Sequence, residues 1–119
     1  MKAEIKTLFS LDIEKHLQDY QPEDTNNFSI WLRMIVGEKG KGGEESFDVF
    51  ICTPKWLLDN CSEDEVIFGY QHLIVFKYNF QEIKEKIESY INNLSGSNWD
   101  DLANKISLIG KWEFEDYKD

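Results

Sequence analysis

Two stretches of the chain alternate apolar and other residues with the two-residue period of a β-strand. Phe28, Ile30, Leu32, Met34 and Val36 share one face of the first, and Phe47, Val49 and Ile51 share one face of the second. Trp31 and Ile35, and then Phe50 and Cys52, make the opposite faces partly apolar, as expected of strands covered on both sides. The intervening Gly37–Glu45, GEKGKGGEE, places four glycines in a short span and predicts a flexible hairpin loop. Residues 3–11 alternate through Ala3, Ile5, Thr7, Phe9 and Leu11 and predict a first strand. Asp12 to Asp24 is polar, contains Pro22, and reads as a connection with a short helical turn. The third strand, 46–53, stops at Thr53-Pro54, because proline cannot donate to a ladder but fits the first turn of a helix. Trp56, Leu57 and Leu58 follow at once and predict a turn pinned into the core. A fourth strand is expected over 66–78, with Phe68, Tyr70, His72, Ile74 and Phe76 on one face, Ile67, Leu73 and Val75 on the other, and a bulge at Gly69.

The period then changes from two to 3.6. Phe80, Ile83, Ile87, Tyr90, Ile91 and Leu94 fall on one helical stripe. Asn79 and Glu82 form a capping-box pattern at its start, Glu82 and Lys86 are spaced for a surface pair, and Gly96 is a stop signal. A second helix begins near Ser97 or Asn98, with Trp99, Leu102, Ala103 and Ile106 on its buried face. Asp100 and Asp101 lie at its positive end, and Gly110 closes it. Trp112, Phe114 and Tyr117 alternate with Glu113, Glu115 and Asp116 in a short extended tail. Strands first and helices second predict an α+β fold: an antiparallel sheet of about four to five strands with two C-terminal helices packed on one face. Such a fold leaves part of the other face, or a sheet edge, for something else. The 119 residues suit one domain, 1–119.

Composition narrows the partners. Thirteen basic residues against 23 acidic ones give a formal charge of −10, which disfavours direct contact with nucleic acid or anionic membranes and favours a basic protein. The bland reading of the same charge is solubility. Two cysteines, Cys52 and Cys61, do not make a disulfide framework, and charges interrupt the first residues too often for a signal peptide. No stretch is long enough to span a bilayer, so the expected location is the cytoplasm.

Candidate chemistry is sparse. The glycine loop lacks the following helix and the Lys-Ser or Lys-Thr pair of a phosphate-binding loop. Cys52, Cys61, His16 and His72 lack the close spacing of a zinc site, and no cofactor is expected. Cys52 or Cys61 with His72 is the one constellation from which a small hydrolase or transferase could be built, although a cysteine in an apolar strand is usually inert packing. Acids concentrate in three places: Glu38, Glu44 and Glu45 in the hairpin loop; Asp59, Glu63, Asp64 and Glu65 after the Thr-Pro corner; and Glu113, Glu115 and Asp116 in the tail. Brought together in pairs, these would form an acidic face for a basic partner. Trp31, Trp56, Tyr70 and Tyr20 are the candidate anchors, since affinity needs buried aromatic contacts more than rim charges.

Four blocks in order carry a resemblance. These are Phe47–Leu57 (FDVFICTPKWL); Gly69–Val75 (GYQHLIV); the stretch from Phe80 to Leu94 followed by Gly96 and Trp99; and the ending Trp112–Tyr117 (WEFEDY). Together they resemble the immunity protein 8 family of bacterial polymorphic toxin systems, from about Phe28 to Tyr117 and more loosely over the first strand. The resemblance implies an α+β domain that binds and neutralises a toxin domain encoded beside it, stoichiometrically and without catalysis. The partner it implies is a cognate toxin, in many such systems a nuclease with a basic surface. It carries no catalytic motif and leaves the contact residues open. A cysteine-dependent enzyme is the alternative, and a structural subunit that pairs through a sheet edge is a third reading.

Overall fold

A computed structural model describes residues 1–113. Its elements are β1 (Ala3–Phe9), a 3-10 turn (Leu17–Asp19), β2 (Ser29–Glu38), β3 (Glu45–Cys52), α1 (Pro54–Asn60), β4 (His72–Ile74), α2 (Phe80–Asn92), α3 (Trp99–Ile106) and β5 (Lys111–Trp112). The architecture is α+β, as the change of period predicts.

β3 is the axis of the sheet. One of its edges pairs antiparallel with β2 over its whole length, from Ser29 opposite Cys52 to Val36 opposite Glu45. Its other edge is divided. β5 pairs antiparallel at Phe47 and Asp48, and β4 pairs parallel at Phe50, Ile51 and Cys52. β1 flanks β2 antiparallel. The inner face presents Ile30, Leu32, Met34, Val36, Phe47, Val49 and Ile51, all buried. The C-terminal helices complete this core with Ile83, Ile87 and Ile91 of α2 and Leu102, Ala103 and Ile106 of α3. Each such leucine or isoleucine is worth roughly 1.5–3 kcal/mol on burial. Trp112 of β5 stacks on Phe47 with ring centroids 6.1 Å apart, so the tail is packed on the body at its first aromatic. The expected continuation through Phe114 and Tyr117 lies outside the described residues.

The local signals act as anticipated at both helix starts. Asn79 Oδ1 accepts from the Glu82 amide at 3.2 Å, and Asn98 Oδ1 accepts from the Asp101 amide at 2.8 Å. The Asp101 carboxylate in turn accepts from the Ser97 amide, and this hydrogen bond holds its pKa below the ordinary carboxylate value. α3 ends at Ile106, earlier than Gly110, whose lack of a side chain instead admits Met34, Val49 and Phe47 of the core.

Five expectations are corrected. A register shift between Ile5 and Thr7 splits the supposed single face of the first strand. It turns Leu8 inward opposite Met34 and Phe9 outward opposite Arg33. The fourth strand shrinks from 66–78 to His72–Ile74, because β5 already occupies the rest of the β3 edge and leaves only three pairing positions. β4 is also parallel to β3, since α1 carries the chain back along the sheet before it begins. Gly69 does not mark a bulge; its carbonyl accepts from the His72 amide in the turn that precedes β4. Finally, the Thr-Pro corner does start a helix, with buried Thr53 Oγ1 accepting from the Trp56 amide at 3.2 Å, but α1 buries none of its residues and Leu58 is 81% exposed.

Candidate interaction surface

The helices leave the outer face of the sheet to side chains alone. Cross-strand register arranges that face in rows. Arg33, Asp48 and Lys111 lie in one row, extended by Phe9 of β1, and Trp31, Phe50 and His72 lie in the next. The first row is charged. Arg33 forks onto Asp48 with Nε–Oδ1 at 2.8 Å and Nη2–Oδ2 at 3.0 Å, and the hydrogen bond to Asp48 raises the arginine pKa further. The second row is aromatic and centred on Phe50. Trp31 tilts against it at 4.9 Å, His72 meets it edge-on at 5.2 Å, and Trp56 of α1 reaches over it at 5.3 Å. Trp31 remains 49% exposed, so β2 is not covered on its outer side. A shallow depression beside it is lined by Leu11, Asp12, Trp31, Arg33 and Asp48.

Glu113, the one described acid of the tail group, meets the hairpin group. The Glu113 amide donates to the Ser46 carbonyl at 3.0 Å, and the Glu113 carboxylate accepts from Ser46 Oγ at 2.9 Å. Glu113 therefore sits beside Glu45, at the hairpin end of the sheet with Glu38 and Glu44. The hairpin is itself tied to β1: Glu4 accepts from the Gly40 amide, and Lys6 Nζ donates to the Lys41 carbonyl. Lys6 Nζ also donates to the Glu4 carboxylate, and this hydrogen bond first, then the one from the Gly40 amide, holds the Glu4 carboxyl below its ordinary pKa.

Of the second group, Asp59 lies at the opposite end: it accepts from Asn27 at 2.8 Å, next to the start of β2, whereas the hairpin joins the far ends of β2 and β3. The eight residues of β3 put roughly 25 Å between Asp59 and the hairpin acids. Glu63, Asp64 and Glu65 follow in the exposed turn after α1. Glu115 and Asp116 lie outside the described residues.

The aromatic anchor candidates separate in the same way. Trp31 and Trp56 belong to the outer face. Tyr20 packs edge-on against Tyr78 at 5.6 Å, and Tyr70 Oη donates to the Ser107 carbonyl at 3.0 Å while its ring stays half exposed. Sequence reasoning missed Phe50 as the hub, although its parity opposite Val49 and Ile51 carried the signal. It also passed over the Arg33–Asp48 fork, signalled by a lone arginine within an apolar strand.

The cysteine–histidine reading finds its residues in other roles. Cys52 is fully buried, and burial raises its thiol pKa. His72 packs on Phe50 and places Nδ1 2.7 Å from the Tyr70 carbonyl. Among the described residues, no group of three or more His, Cys, Asp or Glu side chains could hold a metal ion, and no helix is long and apolar enough to cross a membrane.

No curated protein and no solved structure matches the chain. One family model does, that of immunity protein 8, over residues 3–117. That match runs from the first strand of the sheet, through both C-terminal helices, into the tail beyond β5, and on it the chain belongs to the immunity protein 8 family.

Proposed function

We propose that the protein binds a cognate bacterial toxin domain and neutralises it stoichiometrically, performing no reaction of its own. The observation that carries this reading is the family match over residues 3–117. The aromatic outer face is consistent with it, because an exposed tryptophan packed on half-buried aromatics beside a fixed charge pair is what a protein–protein contact uses for affinity. The charge of −10 favours a basic toxin, such as a nuclease whose substrate surface an acidic inhibitor occupies or flanks. Glu38, Glu44, Glu45 and Glu113 at the hairpin end, Asp59 at the other, Glu63, Asp64 and Glu65 in the turn after α1, and Glu115 and Asp116 in the tail remain the acidic contact candidates. The cytoplasm is the proposed site of action.

Co-expression tests the reading. Cells producing the toxin domain encoded beside this gene survive when this protein is present and die when it is not. Equal survival in both cases defeats the proposal.

A further inference from the structure

No residue from 54 to 77 is buried, although this stretch holds much of the chain's large apolar material. Isolated exposed hydrophobics are ordinary on any protein, but these are consecutive. Val66 is 97% exposed, Phe68 is 91% exposed, and Ile67 lies between them at 46%. Tyr70, Ile74 and Phe76 extend the patch along the same crossover. Their alternation is that of a strand for which the sheet offers only three pairing positions.

The root of this segment is fixed. Gln71 adopts a left-handed backbone (φ 59°), uncommon for a residue with a side chain. It is held there by Nε2 donating to the Ser107 carbonyl at 2.9 Å and by the Phe50 amide donating to its own carbonyl at 3.1 Å. Tyr70 Oη donates to the same Ser107 carbonyl. The other flank is an acidic turn: the Ser62 amide donates to Glu65 Oε1 at 2.9 Å, the Glu65 amide donates back to the Ser62 carbonyl at 3.0 Å, and Glu63 and Asp64 project between them. An apolar tip is thus presented between a pinned residue and three carboxylates. Presentation from a fixed root lowers the ordering cost of binding.

We infer that Val66–Tyr70, with the acidic turn before it, is the element that docks the toxin domain. Val66 and Phe68 enter an apolar pocket on the partner, and Glu63, Asp64 and Glu65 meet Lys or Arg side chains on its rim. This rests on the immunity reading above. Charge selects the occupant: a second copy of this chain would bring another −10 and another acidic turn to the contact, whereas a basic domain complements both.

The test is calorimetric titration of the purified toxin domain encoded beside this gene against wild-type protein, Val66→Asp, Phe68→Asp and, at the sheet face, Trp31→Ala. Val66→Asp and Phe68→Asp each weaken binding at least about 30-fold, the effect of losing an anchor, and exceed Trp31→Ala. Both side chains are exposed, so the thermal midpoint stays at the wild-type value. Hydrogen exchange on the wild-type protein reads the same contact without substitution: amides of 66–70 slow when the toxin domain is added. Wild-type binding with both aspartate variants within twofold, or with no slowing at 66–70, overturns the inference while leaving the immunity reading standing. A wild-type dimer that Phe68→Asp converts to monomer without change in toxin affinity also overturns it, since the occupant is then a second copy. Wild-type protein that neither binds nor protects removes the immunity reading, and the inference with it.

Discussion

Tyr78 makes a sharp test of how the connection between the first two strands is held. Its hydroxyl donates to the Leu17 carbonyl at 3.0 Å, its amide donates to the Thr25 carbonyl at 2.7 Å, and its ring meets Tyr20 and Phe28 edge-on at 5.6 and 5.3 Å. Burial, with a smaller contribution from Tyr20, pushes its pKa from 10.0 to about 12. Tyr78→Phe removes one buried hydrogen bond and costs about 1 kcal/mol near neutral pH, because the Leu17 carbonyl still accepts from the Tyr20 amide at 3.3 Å. At alkaline pH the sign reverses. The folded state holds the phenolic proton more tightly than the unfolded chain does, so wild-type stability is complete below pH 10 and falls as pH rises towards 12. At about pH 11 the wild type has lost roughly 1.4 kcal/mol that the phenylalanine variant never had to lose. For a hydrogen bond worth about 1 kcal/mol, the two stability curves therefore cross between about pH 10 and 11. Urea unfolding of both proteins at neutral pH and in half-unit steps from 9 to 11.5 measures the difference directly. A wild-type advantage that stays constant across that range refutes the assignment of a raised pKa to this hydroxyl.

Three further outcomes are expected. Gly37→Ala places a Cβ 2.2 Å from the Gly43 carbonyl oxygen and must push the hairpin off β2, at a cost of about 1–3 kcal/mol, whereas Gly42→Ala meets nothing within 4 Å and is neutral; equal thermal midpoints for the two would contradict the packing. Thr53→Ala leaves the Trp56 and Phe28 amides without the oxygen both now donate to and costs about 1–2 kcal/mol in denaturant unfolding, while Thr53→Ser retains most of it; identical losses would show that the hydroxyl is not what holds the corner. Association with the toxin domain slows by about tenfold or more as salt rises from low to well above physiological, read by stopped flow, and a flat dependence would remove the electrostatic part of the proposal.

What the sequence disclosed and what it withheld divide along a physical line. Patterns whose cause is local were legible. Asn79 with Glu82 and Thr53 with Pro54 specify chain direction through hydrogen bonds a few residues long, and both appear where they were expected; the last helix also starts near Asn98 as expected, through a cap onto the Asp101 amide that was not named. The alternation from Phe28 to Ile51 was legible because β2 and β3 are partners in one hairpin and bury one face together. Alternation elsewhere described a strand without saying whether a partner was available. Residues 66–78 carry as regular a pattern as β3, but the edge they would pair with is already taken by β5, more than thirty residues later in the chain. The slip in β1 has a similar origin: one extra residue before Thr7 inverts every side chain after it, and only the registry with β2 reveals it. Of the surface, the acidic loops could be named, but their separation could not, because it depends on which end of β3 each one leaves.

That separation decides what the acids are able to do. A partner seated on Val66–Tyr70 lies against Glu63, Asp64 and Glu65, at contact range, where rim charge pairs fix register and reject wrong partners. Glu45 of the hairpin group stands five residues along β3 from the Phe50 level at which β4 begins, roughly 16 Å or two Debye lengths at physiological salt, with Glu38, Glu44 and Glu113 beside it. Unless the toxin domain spans the whole length of the sheet, these hairpin acids act through the long-range field, accelerating encounter without holding the complex. The Arg33–Asp48 fork lies between the two groups and is already satisfied within the chain, so it orients the aromatic row without offering a free charge of either sign. Rate and residence would then be set at different places on the molecule, the first by charge that never touches the partner and the second by apolar side chains that the fold itself leaves uncovered.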